Sequence, residues 1–142
     1  MVDTRITEPS FPLYQESEGE EYMNEPQQEH FRQILLHWKQ ELQEEMGRTR
    51  SQMRDDAEIL ADPNDRATQE EEFTIELRTR ERERNLIRKI EISLRAIESG
   101  DYGYCESCGI EIGLRRLQAR PTATKCIDCK TLDEVRERQL LE

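Results

Sequence analysis

Apolar side chains at Phe31, Ile34, Leu35, Trp38, Leu42 and Met46 recur every three or four positions, the spacing of one helical stripe. Toward the C-terminal side the stripe thins to Thr49, Met53 and Ala57. Asn24 stands ahead of the run as an N-cap, with Glu25 and Pro26 in the first turn, so a helix is predicted from about residue 24 to about residue 60. Gly47 is the only glycine inside it. A second run without proline or glycine is predicted as helix over about 68–99. Its apolar residues are Phe73, Ile75 and Leu77 near the start and Leu86, Ile87, Ile90, Ile92, Leu94 and Ile97 toward the end, with none between Arg78 and Asn85.

Each run is thus richest in apolar residues at the end far from the intervening turn, Asp62-Pro63-Asn64-Asp65. Two antiparallel helices have this matched gradient. Phe31, Leu35 and Trp38 would meet Ile90, Leu94 and Ile97 at the base of a hairpin, and the stretch near the turn would be a polar arm. At about 1.5 Å per residue, roughly 30 residues make an arm of about 45 Å. The alternative, a compact bundle, lacks the apolar residues to cover the tip half. Composition agrees: charged residues are 37% of the 142 and hydrophobic ones 34%, a helix-rich chain with a thin core. No apolar run is long enough to span a membrane, and the N-terminus lacks the basic start and apolar centre of a secretory signal. A cytoplasmic protein is expected.

The net charge of −11 argues against simple duplex DNA binding. The charge is unevenly spread. Residues 1–30 hold eight acids and one Arg, a net of −7, whereas residues 78–90 hold six Arg/Lys and two Glu, a net of +4. That basic stripe is either a solvated helix face with ion pairs along it or a docking surface for an acidic partner or a phosphate ligand.

All four cysteines fall in one short stretch, as Cys105-x2-Cys108-x17-Cys126-x2-Cys129. Two such knuckles are the sequence form of a four-cysteine zinc site. Each CxxC turn sets two sulfurs on one side and the second pair closes the tetrahedron, at about 2.3 Å from the metal. Four protein ligands leave no position for water, so one structural Zn²⁺ is predicted. Disulfides are disfavoured in a cytosolic chain and a redox CxxC needs no second copy; an iron–sulfur cluster is the remaining alternative. His30 and His37 are distant in sequence and are expected on the helix surface. The stretch from Gly100 to Lys130 has five Arg/Lys against four acids and no strongly basic recognition helix. It is expected to clamp the hairpin base to a C-terminal helix rather than to read DNA.

The segments "GYCESCGIEIGLRRLQARPTATKCIDCKTL", "DPNDRATQEEEF" and "GEEYMNEPQQEHFRQIL" together resemble the DksA/TraR family of zinc-finger proteins. The resemblance covers about residues 14–139. It implies a mainly α fold: a long antiparallel coiled-coil hairpin, a globular part with the four-cysteine zinc finger, and a C-terminal helix. The chain is expected to divide into an acidic segment and helix start within the globular base at 1–32, the coiled coil at 33–99 with its tip near 60–67, the zinc module at 100–130 and the terminal helix at 131–142; the first dozen residues lie outside the resemblance. The family is non-enzymatic. It binds RNA polymerase, inserts its coiled coil into the secondary channel and acts with ppGpp to destabilise promoter complexes, repressing ribosomal RNA promoters and activating some for amino-acid biosynthesis. The chain is expected to act as a monomer, without sequence-specific DNA binding.

The family's tip pattern Asp-x-x-Asp-x-Ala is matched by Asp62, Asp65 and Ala67. These acids are expected to contact basic or catalytic-centre groups at the channel's end, and a carboxylate pair can also approach Mg²⁺. The local alternative is that Asp65 caps the second helix while Pro63 sets the turn. The family's ppGpp site maps onto Leu86, Lys89, Arg120 and Lys130, with polymerase completing it; a tetraphosphorylated guanosine needs several cations. Arg82, Glu70 and Phe73 match positions implicated in polymerase contact, and position 79 is Thr where some relatives carry Asn. A channel-binding stimulator of transcript cleavage and a purely structural zinc and coiled-coil adaptor are the alternatives in function.

Overall fold

The computed structural model describes the backbone of residues 12–59 and 63–141, and their side chains except at 49, 51–59 and 63–66. Four helices follow one another: α1 (Glu25–Ile59), α2 (Pro63–Ser99), the short α3 (Leu114–Ala119) and α4 (Ile127–Leu141). Residues 12–24 are irregular.

The first helix starts as its cap dictates. The Asn24 Oδ1 accepts from the Gln27 backbone N–H at 3.0 Å, and the Gln27 Oε1 accepts in return from the Met23 N–H at 2.7 Å. This reciprocal pair satisfies two donors that a helix N-terminus leaves orphaned. Gln27 is fully buried, and its amide N–H completes its bonding by donating to Glu20 at 3.0 Å, as a buried polar side chain requires.

The second helix begins at Pro63, earlier than the predicted Thr68. Proline suits a first helical position, because its missing N–H would have no partner there and its φ is already helical. Asp65 is therefore the third residue of α2 and not its cap. Asp62 lies outside the described residues. At the other end Gly100 takes φ +85. Its N–H donates to the Ile97 carbonyl at 3.3 Å and the Asp101 N–H to the Ala96 carbonyl at 2.9 Å, the double closure of a Schellman motif that needs glycine at its left-handed position.

Helices α1 and α2 pack along each other. Among the residues of α2 that turn away from solvent, Gln69, Phe73, Glu76, Arg80, Glu83, Ile87, Ile90, Leu94 and Ile97 follow the alternating four-and-three spacing characteristic of a coiled-coil seam. Only its last four members and Phe73 are apolar. The gap between Arg78 and Asn85 is thus not a loss of pairing but a polar stretch of seam. There Glu83 is half-buried, and burial, with the Glu45 carboxylate across the seam adding to it, raises its pKa. Nearer the base, Lys39 of α1 reaches Glu91 of α2 at 3.4 Å.

At the base the seam widens into one core. Phe31, Ile34, Leu35, Trp38, Leu42, Ile90 and Ile97 are buried together with Met23 and with Tyr102, Cys105, Ile112, Leu117 and Cys126 of the following module. The hairpin base and the finger region thus share a core. Two tyrosine hydroxyls tie them further. The Tyr102 hydroxyl donates to the Pro121 carbonyl at 2.7 Å, and the Tyr22 hydroxyl donates to the Gly103 carbonyl at 2.7 Å while accepting from the Gly113 N–H at 3.0 Å. The C-terminal helix differs from expectation: it starts inside the second CxxC and buries none of its side chains, with Leu132, Leu140 and Leu141 exposed. Its attachment is through the finger and not through packing on the hairpin.

Two glycines test this description with opposite signs. Gly103 has φ +93, and a Cβ there would meet the Met23 Cε and the Tyr22 hydroxyl at 3.0 Å. Gly103→Ala is expected to destabilise by about 2–4 kcal/mol, from the left-handed backbone and overpacking combined. Gly47 is exposed inside α1 with open space around its Cα, so Gly47→Ala should stabilise by about 0.5–1 kcal/mol. Urea titrations followed by circular dichroism read both; equal and small shifts would contradict the assigned environments.

Candidate functional site

The first knuckle is a tight hairpin. Tyr104 bridges Glu111 in antiparallel fashion, the Cys105 N–H donates to the Ile110 carbonyl at 2.8 Å and the Gly109 N–H to the Cys105 carbonyl at 2.9 Å. Gly109 closes it with φ +77, a conformation that L side chains rarely adopt. The second knuckle is the start of α4: Cys126 precedes it, Cys129 lies in its first turn, and the Lys130 N–H donates to the Cys126 carbonyl at 3.0 Å. Hairpin and helix turn face each other so that all four sulfurs lie within 4.8 Å of one another. Cys105 and Cys126 are buried, Cys129 is half-buried and Cys108 is exposed.

The donor set fits a zinc ion. Backbone N–H groups, that of Cys126 foremost, hold the Cys105 thiol down to about 6, toward the thiolate that a metal takes as ligand. The crowd of neighbouring sulfurs, Cys126 first, pushes the Cys129 thiol up to about 12. Four thiols this close cannot all ionise against one another's charge; a divalent cation among them reverses that repulsion. Cys105, Cys108, Cys126 and Cys129 would hold one Zn²⁺, and four thiolate ligands would make it a structural ion.

Beside this centre lies an open cavity of about 430 Å³, walled by the later part of α2, by α3 and its following loop, and by the start of α4. Leu86 and Lys89, one turn apart on α2, and the distant Arg120 and Lys130 all line it, over a floor that includes buried Trp38. Three further charged residues line it that the sequence reading left unassigned: Arg116, Lys125 and Asp133. The Arg116 Nε donates to the Lys125 carbonyl at 3.1 Å, and Lys125 forms an ion pair with Asp133. That pair, by hydrogen bond first and charge second, raises the lysine pKa and lowers the aspartate's. Arg116 and Lys125 were visible as finger cations. Their convergence was not, because it depends on the zinc-closed loop.

The other candidate residues are spread along the arm. Ala67, Glu70 and Arg82 are exposed on α2, and Phe73 is half-buried at a seam position. Asp65 lies in the first turn of α2 with its side chain outside the described set, and Asp62 is outside it altogether. Of the two histidines, His37 is exposed and pairs with Glu41 at 2.6 Å. His30 is not a plain surface residue. It is half-buried, 3.2 Å from the Gln118 amide nitrogen of α3, flanked by the tilted ring of Tyr14 and the edge-on ring of Phe31 at 5.2 and 5.3 Å, and burial lowers its pKa. Among the described residues no helix is long and apolar enough to cross a membrane.

Residues 27–97 match the family described as DnaK suppressor protein DksA, N-terminal domain, and residues 100–134 match the prokaryotic DksA/TraR C4-type zinc finger. Over 127 residues the chain is 61% identical to the RNA polymerase-binding transcription factor DksA of Escherichia coli K12, covering 89% of this chain and 84% of that one. It is 57% identical over 127 residues to the protein of the same name from Haemophilus influenzae, covering 89% and 88%. Among solved structures, transcription factor DksA2 from Pseudomonas aeruginosa superposes with a TM-score of 0.77 at 46% identity, covering 82% of this chain and 90% of that one.

Metal content gives the direct check on the centre. Purified protein should contain about one zinc per chain, and a strong chelator should lower the melting temperature while Cys126→Ser removes the bound metal. A preparation free of zinc whose melting curve ignores the chelator would contradict the assignment. The sulfur geometry, the shared core of hairpin and finger, and the matches over nearly the whole chain lead to one conclusion: this protein belongs to the DksA family of transcription factors with a C4-type zinc finger.

Proposed function

We propose that this chain is a non-enzymatic regulator of transcription that binds RNA polymerase, reaches into the secondary channel with the α1–α2 arm, and acts with ppGpp to destabilise promoter complexes. Relatives 57–61% identical bear the name RNA polymerase-binding transcription factor. The observation that carries the finer reading is the cation-lined cavity at the hairpin base, where Leu86, Lys89, Arg120 and Lys130 share one opening. A guanosine nucleotide with two diphosphates offers Arg120 bidentate phosphate contacts and the two lysines point-charge contacts, while Leu86 and the apolar floor suit a base or ribose face. Polymerase would cover the open side. The helices of the arm, 35 and 37 residues long, extend about 50 Å, enough to carry a tip far from the base. A polar seam and an exposed Arg82 suit insertion between protein walls, and Asp62 and Asp65 would act at the end of that path. Such a factor works where polymerase works, in the cytoplasm.

Transcription in vitro from a ribosomal RNA promoter, with and without ppGpp, tests this reading. Lys89→Ala or Arg120→Ala should raise the ppGpp concentration needed for enhancement about tenfold or more, the loss of one charge-assisted contact. If enhancement persists unchanged, the cavity is not the site. The double change Asp62→Asn and Asp65→Asn should keep polymerase binding near its original strength and abolish promoter inhibition; equal loss of both would point to docking or folding instead. A stalled elongation complex should show no stimulated transcript cleavage.

A further inference from the structure

We propose that Asp133 is a built-in competitor for the phosphate ligand of the basal cavity: it holds Lys125 in an ion pair there, and Lys125 passes from this carboxylate to a phosphate when the ligand enters. The inference rests on the ppGpp reading given above and adds to it two residues and a means of setting affinity.

Asp133 is the one acid among the residues lining the cavity, against the cations Lys89, Arg116, Arg120, Lys125 and Lys130. Lys125 and Asp133 belong to different elements, the approach to the second knuckle and the second turn of α4, so helical periodicity does not bring them together; the path of the chain into α4 does. Their side chains keep only 27% and 29% of their exposure, which screens the pair less than a surface one. The backbone of Lys125 is fixed by the Arg116 guanidinium on its carbonyl, leaving the long side chain to change partner. The neighbouring charges on Asp133 are Lys125 itself, Arg136 and Lys130. It therefore occupies an anion position among cations, and a phosphate entering the cavity meets both a masked lysine and a repelling carboxylate. A phosphate group brings more negative charge and more acceptor oxygens than one carboxylate, so it can take Lys125 over.

The opposing possibility is that the pair only tethers α4, which buries none of its own side chains. Affinity and stability separate the two. The half-maximal ppGpp concentration is measured by transcription with RNA polymerase and the zinc-loaded protein, and the melting temperature on the protein alone. Asp133→Asn should lower the half-maximal concentration about three- to tenfold by removing one like charge near the phosphates. Lys125→Met should raise it by at least as much, because it deletes a cation and leaves Asp133 unpaired in the cavity. The double variant should need more ppGpp than the product of the two single fold-changes predicts, because neither single variant keeps the pair that the original must break; that departure from additivity marks direct coupling. If Asp133→Asn and Lys125→Met leave the half-maximal concentration unchanged, or move it in the same direction along with a lower melting temperature, the pair is a tether and the proposal is overturned. Lys89→Ala separates the two levels of inference. If that variant responds to ppGpp as the original does, the cavity reading and this proposal fall together; if it loses the response while Asp133→Asn changes nothing, this proposal falls alone.

Discussion

Four sulfurs within 4.8 Å of one another can all ionise only around a cation, and most of the globular end depends on that constraint. The two halves of the site come from a hairpin at Cys105–Cys108 and a helix start at Cys126–Cys129. Joining them folds the intervening chain, with α3, back over the hairpin base. This closure puts Cys105, Ile112, Leu117 and Cys126 into the same core as Phe31, Trp38, Ile90 and Ile97. It also fixes where α4 begins, although α4 has no packed face of its own. The zinc contribution is local in distance and long-range in effect: Arg116, Arg120, Lys125 and Lys130 stand opposite Lys89 because the loop carrying them is pinned beside α2.

The arm obeys a different constraint. A seam of Ile87, Ile90, Leu94 and Ile97 gives way toward the tip to Glu83, Arg80, Glu76 and Gln69, with Phe73 the one large apolar member. Burying apolar area stabilises pairing by about 25 cal/mol per Å², and a polar seam forgoes most of that. Glu83 beside Glu45 adds repulsion where a leucine would add cohesion. The hairpin is therefore anchored at the base and extended by helix geometry, so stability is concentrated near the zinc module and the reach lies beyond it. A continuous apolar seam would be more stable, but it would have to bury more greasy surface along a surface that the proposed function holds against another protein.

The fold was legible in the sequence wherever a local signal controlled it. The Asn24 cap, the Gly100 stop, the apolar gradient and the CxxC pair each report a nearby physical need, and each is where the structure meets it. The start of α2 was misplaced because Pro63 was read as a turn residue, although the same fixed φ suits the first position of a helix. Sequence alone puts His30 on the helix surface because its neighbour Gln118 is 88 positions away in the chain. The cavity was half legible for the same reason. The resemblance to relatives named Leu86, Lys89, Arg120 and Lys130, whereas Arg116, Lys125 and Asp133 became visible only when the closed finger brought them to the same opening. The tip acids Asp62 and Asp65 are read from their motif alone.

Charge distribution then limits what such a molecule can bind. The chain carries a net −11, so at long range it repels nucleic acid and draws no benefit from the counterion release that drives non-specific DNA binding. Five of its 21 Lys and Arg residues instead line a recess about 430 Å³ in volume, where contacts much shorter than the Debye length, about 8 Å at physiological salt, escape screening. A phosphate backbone approaching the surface meets the acidic exterior first. A small polyphosphate that fits the recess meets five cations at close quarters, where short-range contacts outweigh the screened field of the whole protein. An acid placed among those cations, as Asp133 is, then acts only on a ligand that has already entered. It bears on affinity for that ligand and has little bearing on attraction from a distance.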